Sequence, residues 1–266
     1  MTASNAVDQA PPAEKPAKAK DAAAALKAYL ANSPNSPEAP QAQGMLAQML
    51  RLSGDSASMG SLYADQLANP TKYNDMALSQ AGVVAAQANN AADAVKLFEA
   101  ALQQNPYQRD ALNNLSASYY QLQEYEKMLP IVRRLVQVDP SNPDNYMFAA
   151  FAYQGIGKAT KVPARQKAAT DSLLAWKTRA DKLPAKVVFT AFTRGPERTT
   201  LAGTVENLKS ATPKSFTLKF SFLDAQGNVV SQETTNVGPV AKNKTGTFKV
   251  EVAKPGITGF RYEPVT

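Results

Sequence analysis

Two stretches of this chain, residues 75–106 and 109–140, repeat one pattern at an interval of 34 residues, closing on Pro106 and Pro140. A fixed interval of this length constrains the fold more than any local propensity. Each repeat is one supersecondary unit that cannot bury its apolar face alone, so neighbours must stack into a continuous core. Counted from Asp75 and Arg109, Gly82 and Ser116 share position 8, Ala94 and Met128 position 20, Phe98 and Val132 position 24, and Ala101 and Leu135 position 27. Leu115 and Tyr119 add positions 7 and 11 in the second unit. Apolar residues recur three and four apart, which predicts two amphipathic helices per unit. Small residues at position 8, with Ala94 at position 20, let the two helices approach closely. The large residues at 24 and 27 face the next unit. Proline at 32 ends the second helix because it cannot continue the hydrogen-bond ladder.

The pattern loosens on either side. Residues 40–55 and 56–70 read as another helix pair, and residues 21–34 as a lone helix before it. After Pro140 a first helix over 144–155 keeps Tyr146, Ala149, Ala150 and Tyr153 in place. About eight extra residues, 157–164, then precede a basic helix over 165–183, with Gly155 and Gly157 read as the stops of an inter-helix turn. Prolines 34, 70, 106, 140 and 184 punctuate the helical zone, which spans residues 21–185. Residues 1–20, rich in Ala, Pro and Lys, read as a flexible tail, since such a segment cannot bury enough surface to offset its ordering entropy.

Residues 186–266 change period. Over 216–222, Phe216, Leu218, Phe220 and Phe222 alternate with Thr217, Lys219 and Ser221, the signature of a half-buried strand. Further strands are expected at 187–192, 199–207, 229–235, 246–252 and 259–262, with a hairpin turn at 224–228 where Gly227 supplies the permissive backbone. About seven short strands in some 80 residues predict an immunoglobulin-like antiparallel β-sandwich.

The two central units resemble the tetratricopeptide repeat (TPR). The expected fold class is therefore α+β and multidomain, an α-solenoid of TPR helix pairs followed by the sandwich. The resemblance implies a protein-binding scaffold, with partner segments received on the concave face by positions 2, 5, 9, 12 and 13 of each first helix. On this chain those positions are Met76, Ser79, Val83, Ala86 and Gln87, then Asp110, Asn113, Ala117, Tyr120 and Gln121, then Asp144, Met147, Phe151, Gln154 and Gly155. The lining is apolar, aromatic and amide with two acids, Asp110 and Asp144, which suits an extended or helical segment with apolar anchors and room for one basic residue, and it lacks the cations with which chaperone-binding members clamp a terminal carboxylate. In the β zone, Gly203, Val205 and Asn207 followed by Phe222, Leu223, Asp224 and Gly227 resemble the FxLYD-type domains of bacterial envelopes. That likeness and the Ala/Pro/Lys-rich start point to a bacterial cell envelope, periplasmic or extracellular, with the cytoplasm as the alternative.

Catalysis has little to work with. The chain holds no histidine and no cysteine, which removes imidazole acid–base chemistry, thiolate nucleophiles and the usual zinc sites; no cofactor or metal is expected and the chain is read as non-enzymatic. Residues 152–160 look like a phosphate loop but lack its first glycine and its Ser/Thr, and they follow a helix rather than a strand. Residues 139–145 offer Asp139, Asn142 and Asp144, too few ligands for calcium and well suited to a repeat-to-repeat turn. Charge is unevenly placed. Residues 21–157 carry 8 Lys/Arg against 12 Asp/Glu, residues 158–185 carry 7 against 2, and residues 186–266 carry 11 against 6. Lys158, Lys161, Arg165, Lys167, Lys177, Arg179 and Lys182 form a basic patch. Without interleaved aromatics or a docking motif, nucleic acid is a poor fit. The partners expected are another protein or peptide segment, or further copies of the chain assembling into an oligomer or filament, since opposite charges and open solenoid ends favour stacking. No apolar run is long enough to span a membrane.

Overall fold

The computed structural model describes residue 7, residues 10–33, residue 36 and residues 38–266, with residues 40 and 41 as backbone only. Pro34 and most of the first ten residues, read above as punctuation and as tail, lie outside the described residues. The chain divides into two compact units, residues 1–104 and 105–266.

The first unit is helical, with α1 (Lys15–Asn32), α2 (Ala39–Ser53), α3 (Ser56–Ala68), α4 (Asp75–Gln87) and α5 (Ala91–Gln104). Helix α1 starts earlier than residue 21, where the helical zone was expected to open. Alanine loses no side-chain entropy in a helix, so this Ala/Lys-rich stretch forms one readily. Its small residues Ala19, Ala22 and Ala23 pack against Leu46, Met49 and Leu50 of α2. Asp55 caps α3 by accepting from the Ser58 N–H at 3.0 Å, and Asn74 caps α4 by accepting from the Ala77 N–H at 2.8 Å. Repeat positions 8 and 24 meet within one unit: a Cβ at Gly82 would lie 2.6 Å from the ring of Phe98, so this large residue packs against its own first helix, whereas position 24 was expected to face the next unit. Asn89, between α4 and α5, takes a left-handed backbone with φ 59°.

The second unit holds α6 (Arg109–Gln121), α7 (Tyr125–Val138), α8 (Pro143–Ala159) and α9 (Pro163–Asp181), followed by the strands. Gln123, between α6 and α7, repeats the φ of 59° seen at Asn89. Both residues are position 15 of their repeats, so the two units turn the same corner in the same way. The third unit departs. Its position 15 is Gly157, yet α8 runs straight through Gly155 and Gly157 to Ala159, and the expected turn at these glycines is not formed. Their role is close approach instead. A Cβ at Gly155 would sit 2.4 Å from the Tyr125 ring, and one at Gly157 would press Ala169 of α9 at 3.3 Å. The extra residues thus lengthen α8 to 17 residues against 13 in α6. Gly155→Ala should cost about 1–3 kcal/mol, the usual penalty of overpacking. An unchanged urea midpoint would count against this packing.

Among the described residues six strands follow: β1 (Ala185–Arg194), β2 (Thr199–Asn207), β3 (Lys214–Leu223), β4 (Val229–Val240), β5 (Thr245–Val252) and β6 (Gly259–Tyr262). They form two three-stranded antiparallel sheets, ordered β1-β2-β5 and β4-β3-β6. The count is one short of the seven or so expected. One reason is that β4 runs well past residue 235, taking up an extra residue at a bulge opposite 214–216 so that Val237 and Val240 point inward again. The sheets face each other across an aromatic core. Phe189 of β1 meets Phe260 of β6 at 4.7 Å between centroids, and Phe248 of β5 meets Phe220 of β3 at 5.6 Å. Phe216, Leu218, Phe220 and Phe222 are all buried, as their alternation requires. Asp224 organises the hairpin turn by accepting from the N–H groups of Gln226 and Asn228.

Candidate partner-binding site

Helices α6 and α8 lie in contact within the second unit. Near their C-terminal halves they present Tyr120 and Phe151, whose rings stand 6.1 Å apart. Tyr125, from the start of α7, meets Tyr120 edge-on at 5.9 Å. Tyr120 remains 45% exposed, Phe151 41% and Leu122 38%. Large apolar side chains left in water are common singly, but neighbouring ones mark interaction surfaces. Gln121 and Gln154 are exposed, and Asn113 and Met147 half-buried. Tyr125 also lines a cleft of about 690 Å³ with Tyr153, Ile156, Ala168 and Arg165. The lengthened α8 supplies Ile156, so this cleft borders the segment where the third unit departs from its predecessors.

Both acids of the expected groove already have cations. Asp110 pairs with Arg109 at 2.5 Å and Asp144 with Lys186 of β1 at 2.7 Å. Met76, Ser79 and Val83 lie on α4 in the first unit, where Ser79 is buried and the other two are half-buried. Leu122 lies in the inter-helix turn and Tyr125 just after it, outside the first-helix positions to which repeat spacing points.

The β domain is seated on the helices by a buried polar joint. Tyr262 of β6 donates its hydroxyl hydrogen to Asp139 Oδ1 at 2.5 Å and accepts from the Ser141 N–H at 3.1 Å. Ser141 in turn accepts from Val187 of β1 at its carbonyl and from the Val265 N–H at its hydroxyl, both at 2.9 Å. Arg109 reaches Asp139 Oδ2 at 3.6 Å while its guanidinium lies 5.1 Å from the centre of the Phe189 ring. Asn145 holds the Asp139 carbonyl at 2.8 Å. One repeat earlier, Asn105 donates to the Thr258 carbonyl at 2.8 Å. The domain therefore rests on two successive repeat turns, at Asn105-Pro106 and Asp139-Pro140, and leaves Leu174 on α9 exposed. Burial pushes the Asp139 carboxyl above the usual carboxylate range, against the opposing pull of Arg109 and the Tyr262 hydroxyl. Burial, reinforced by Asp139, also raises Tyr262 well above a free tyrosine. Tyr262 therefore keeps its hydroxyl hydrogen through the neutral range and donates it to Asp139.

Every cation of the expected basic patch, Lys158, Lys161, Arg165, Lys167, Lys177, Arg179 and Lys182, is exposed. Lys167 is paired with Asp171 at 2.7 Å, and Arg179 lies 4.9 Å over Trp176, which packs against Tyr146. No described helix is long and apolar enough to cross a membrane.

A family model agrees with the repeat pattern. Residues 80–143 match the tetratricopeptide-repeat family model, so the chain contains a TPR region. No curated protein shows significant sequence similarity to it. Among solved structures, MamA is similar at 17% identity and a TM-score of 0.43, with 62% of this chain and 87% of that one covered. A tetratricopeptide repeat protein from Parabacteroides merdae ATCC 43184 is similar at 17% identity and a TM-score of 0.45, covering 67% of this chain and 65% of that one.

Proposed function

We propose that this chain is a non-enzymatic scaffold that binds a segment of another protein across α6 and α8. The observation that carries the proposal is the exposed contact between Tyr120 and Phe151. Aromatic side chains of this kind carry most of the energy of protein interfaces, and Met147 beside them can adapt its shape to what it meets. Because Asp110 and Asp144 are already paired, the partner is selected by apolar anchors rather than by a basic residue. Its anchoring side chain packs on the Tyr120–Phe151 pair, and the adjoining cleft at Tyr125 receives a second one.

A random-peptide display selection on the full chain tests this. Selected peptides should share an aromatic or large aliphatic residue. Tyr120→Ala should weaken them about 30-fold, the loss expected of an interface hot spot worth about 2 kcal/mol. The helices should persist, since Tyr120 is 45% exposed and lies outside the buried core. Peptides that bind Tyr120→Ala as well as the native chain would sink the assignment.

The β domain also fits an immunoglobulin-like, FxLYD-type reading, supported by its paired sheets ordered β1-β2-β5 and β4-β3-β6 and by the turn that Asp224 organises. On that reading the domain is the mount that fixes the repeats.

A further inference from the structure

One end of the β domain gathers lysines that are widely separated in sequence. The organiser is Asn207, which is fully buried. Its Oδ1 accepts from the Lys209 N–H at 3.2 Å and the Ser210 N–H at 2.9 Å, and its Nδ2 donates to the carbonyls of Ser210 at 3.1 Å and Val240 at 3.0 Å. Its backbone N–H donates to the Lys244 carbonyl at 3.2 Å, and its carbonyl accepts from Asn243 at 2.8 Å. Asn207 thus clamps the loop after β2 to the end of β4 through its amide and to the loop before β5 through its backbone. Lys214 is held opposite Val240 in the strand register. The Leu208 N–H donates to the Pro184 carbonyl at 3.0 Å, which brings in the end of α9 and with it Lys182.

Lys182, Lys209, Lys242 and Lys244 are exposed, and the half-buried Lys214 lies 5.8 Å from the centre of the Phe216 ring. Neither loop contains an acid, and Asp181 and Glu206 flank the group. Among the described residues none of the five lysines is in an ion pair, whereas Lys186, Arg198, Lys219 and Lys249 in the same unit each have a carboxylate within 3.3 Å.

We propose that this end of the β domain is a docking surface for an anionic lipid bilayer. The residue types favour that partner over others. All five cations are lysines, hydrated point charges that respond to charge density and lack the rigid fork with which arginine reads one phosphate or base. Lysine is depleted at protein interfaces, and these loops expose no aromatic or large aliphatic anchor for a partner protein. They equally lack the stacking platform that single-stranded nucleic acid needs. Clustered lysines at a domain end match what a negatively charged headgroup layer offers, a diffuse field without fixed contacts.

The test is co-sedimentation of the full chain with phosphatidylglycerol–phosphatidylcholine vesicles and with pure phosphatidylcholine vesicles. Binding is expected to the anionic vesicles alone and is lost near 1 M salt, where the Debye length falls to about 3 Å. Each lysine near such a surface contributes about five-fold, so Lys209→Gln, Lys242→Gln and Lys244→Gln together should reduce partitioning about a hundredfold. A charge-matched control, Arg198→Gln with Lys219→Gln and Lys249→Gln, should change it only a few-fold. Absence of binding, equal binding to neutral vesicles, or equal losses in the two triple variants would overturn the proposal. So would duplex DNA binding that outcompetes the vesicles and is lost in the first triple variant, which would assign the patch to nucleic acid.

Discussion

Asp139→Ala is expected to destabilise residues 105–266 by about 3–5 kcal/mol, the cost of breaking a buried charged pair by removing one partner. The side chain is 1% exposed and is met by Arg109, the Tyr262 hydroxyl and Asn142. Its loss leaves the largely enclosed guanidinium without its buried counter-charge and the Tyr262 hydroxyl without its acceptor. Tyr262→Phe should cost less, about 1–3 kcal/mol, because it strands the Ser141 N–H and one aspartate oxygen but keeps the ion pair. Asp139→Asn separates charge from shape. The native carboxyl binds a proton more readily folded than unfolded, because burial raises it. Stability contributed by this group therefore falls as pH rises from the ordinary carboxylate value through the raised one, and is level above that window. The stability of the native chain relative to Asp139→Asn should follow this course in urea denaturation read by Trp176 fluorescence. A variant within about 0.5 kcal/mol of the native chain would show that the joint is ornamental.

Phe220→Ala is expected to cost about 3–5 kcal/mol and to do so in the helices as well as in the sheets. Phe220 is 1% exposed and touches the rings of Phe189, Phe222, Phe248, Phe260 and Tyr262, so it ties both sheets to the residue that enters the joint. Truncation leaves a cavity in the middle of that cluster. Trp176, the single tryptophan, lies on α9 against Tyr146 of α8 and Arg179, so it reports the helices. If residues 105–266 unfold together, its transition shifts to lower urea with the β-sheet signal. If the β domain melts first and Trp176 keeps its native midpoint, the joint does not couple them.

The helical core was legible because its rules are local and periodic. The small residue Gly82 at a close helix approach, the stops before Pro106 and Pro140 and the alternation of Phe216 to Phe222 each follow from spacing alone, whereas the turn of Phe98 toward its own unit does not. The run of α8 through Gly155 and Gly157 was not, since glycine reads as a stop unless one knows that Tyr125, thirty residues earlier, needs the space. The joint was hidden for a stronger reason. Asp139 sits in a run that local chemistry explains fully as a turn, and its partner Tyr262 is 123 residues away. The lysine end is a product of topology in the same way, as Asn207 brings Lys209 to Lys244 through its amide on one side and its backbone on the other. Of the candidate groove, the aromatic identity of Tyr120 and Phe151 was readable from repeat position. The pairing of Asp144 was not, because its partner Lys186 belongs to a strand.

The most direct test of the whole account is hydrogen exchange on the full chain, with and without a display-selected peptide. The β domain rests on the turns at 105–106 and 139–141, while Tyr120 and Phe151 of the proposed binding face stay exposed. Added peptide should therefore slow exchange in residues 113–121 and 147–155 and leave the two turns and β6, already protected by the joint, unchanged. Protection that appears on the strands or at the turns while α6 and α8 exchange as before would contradict it.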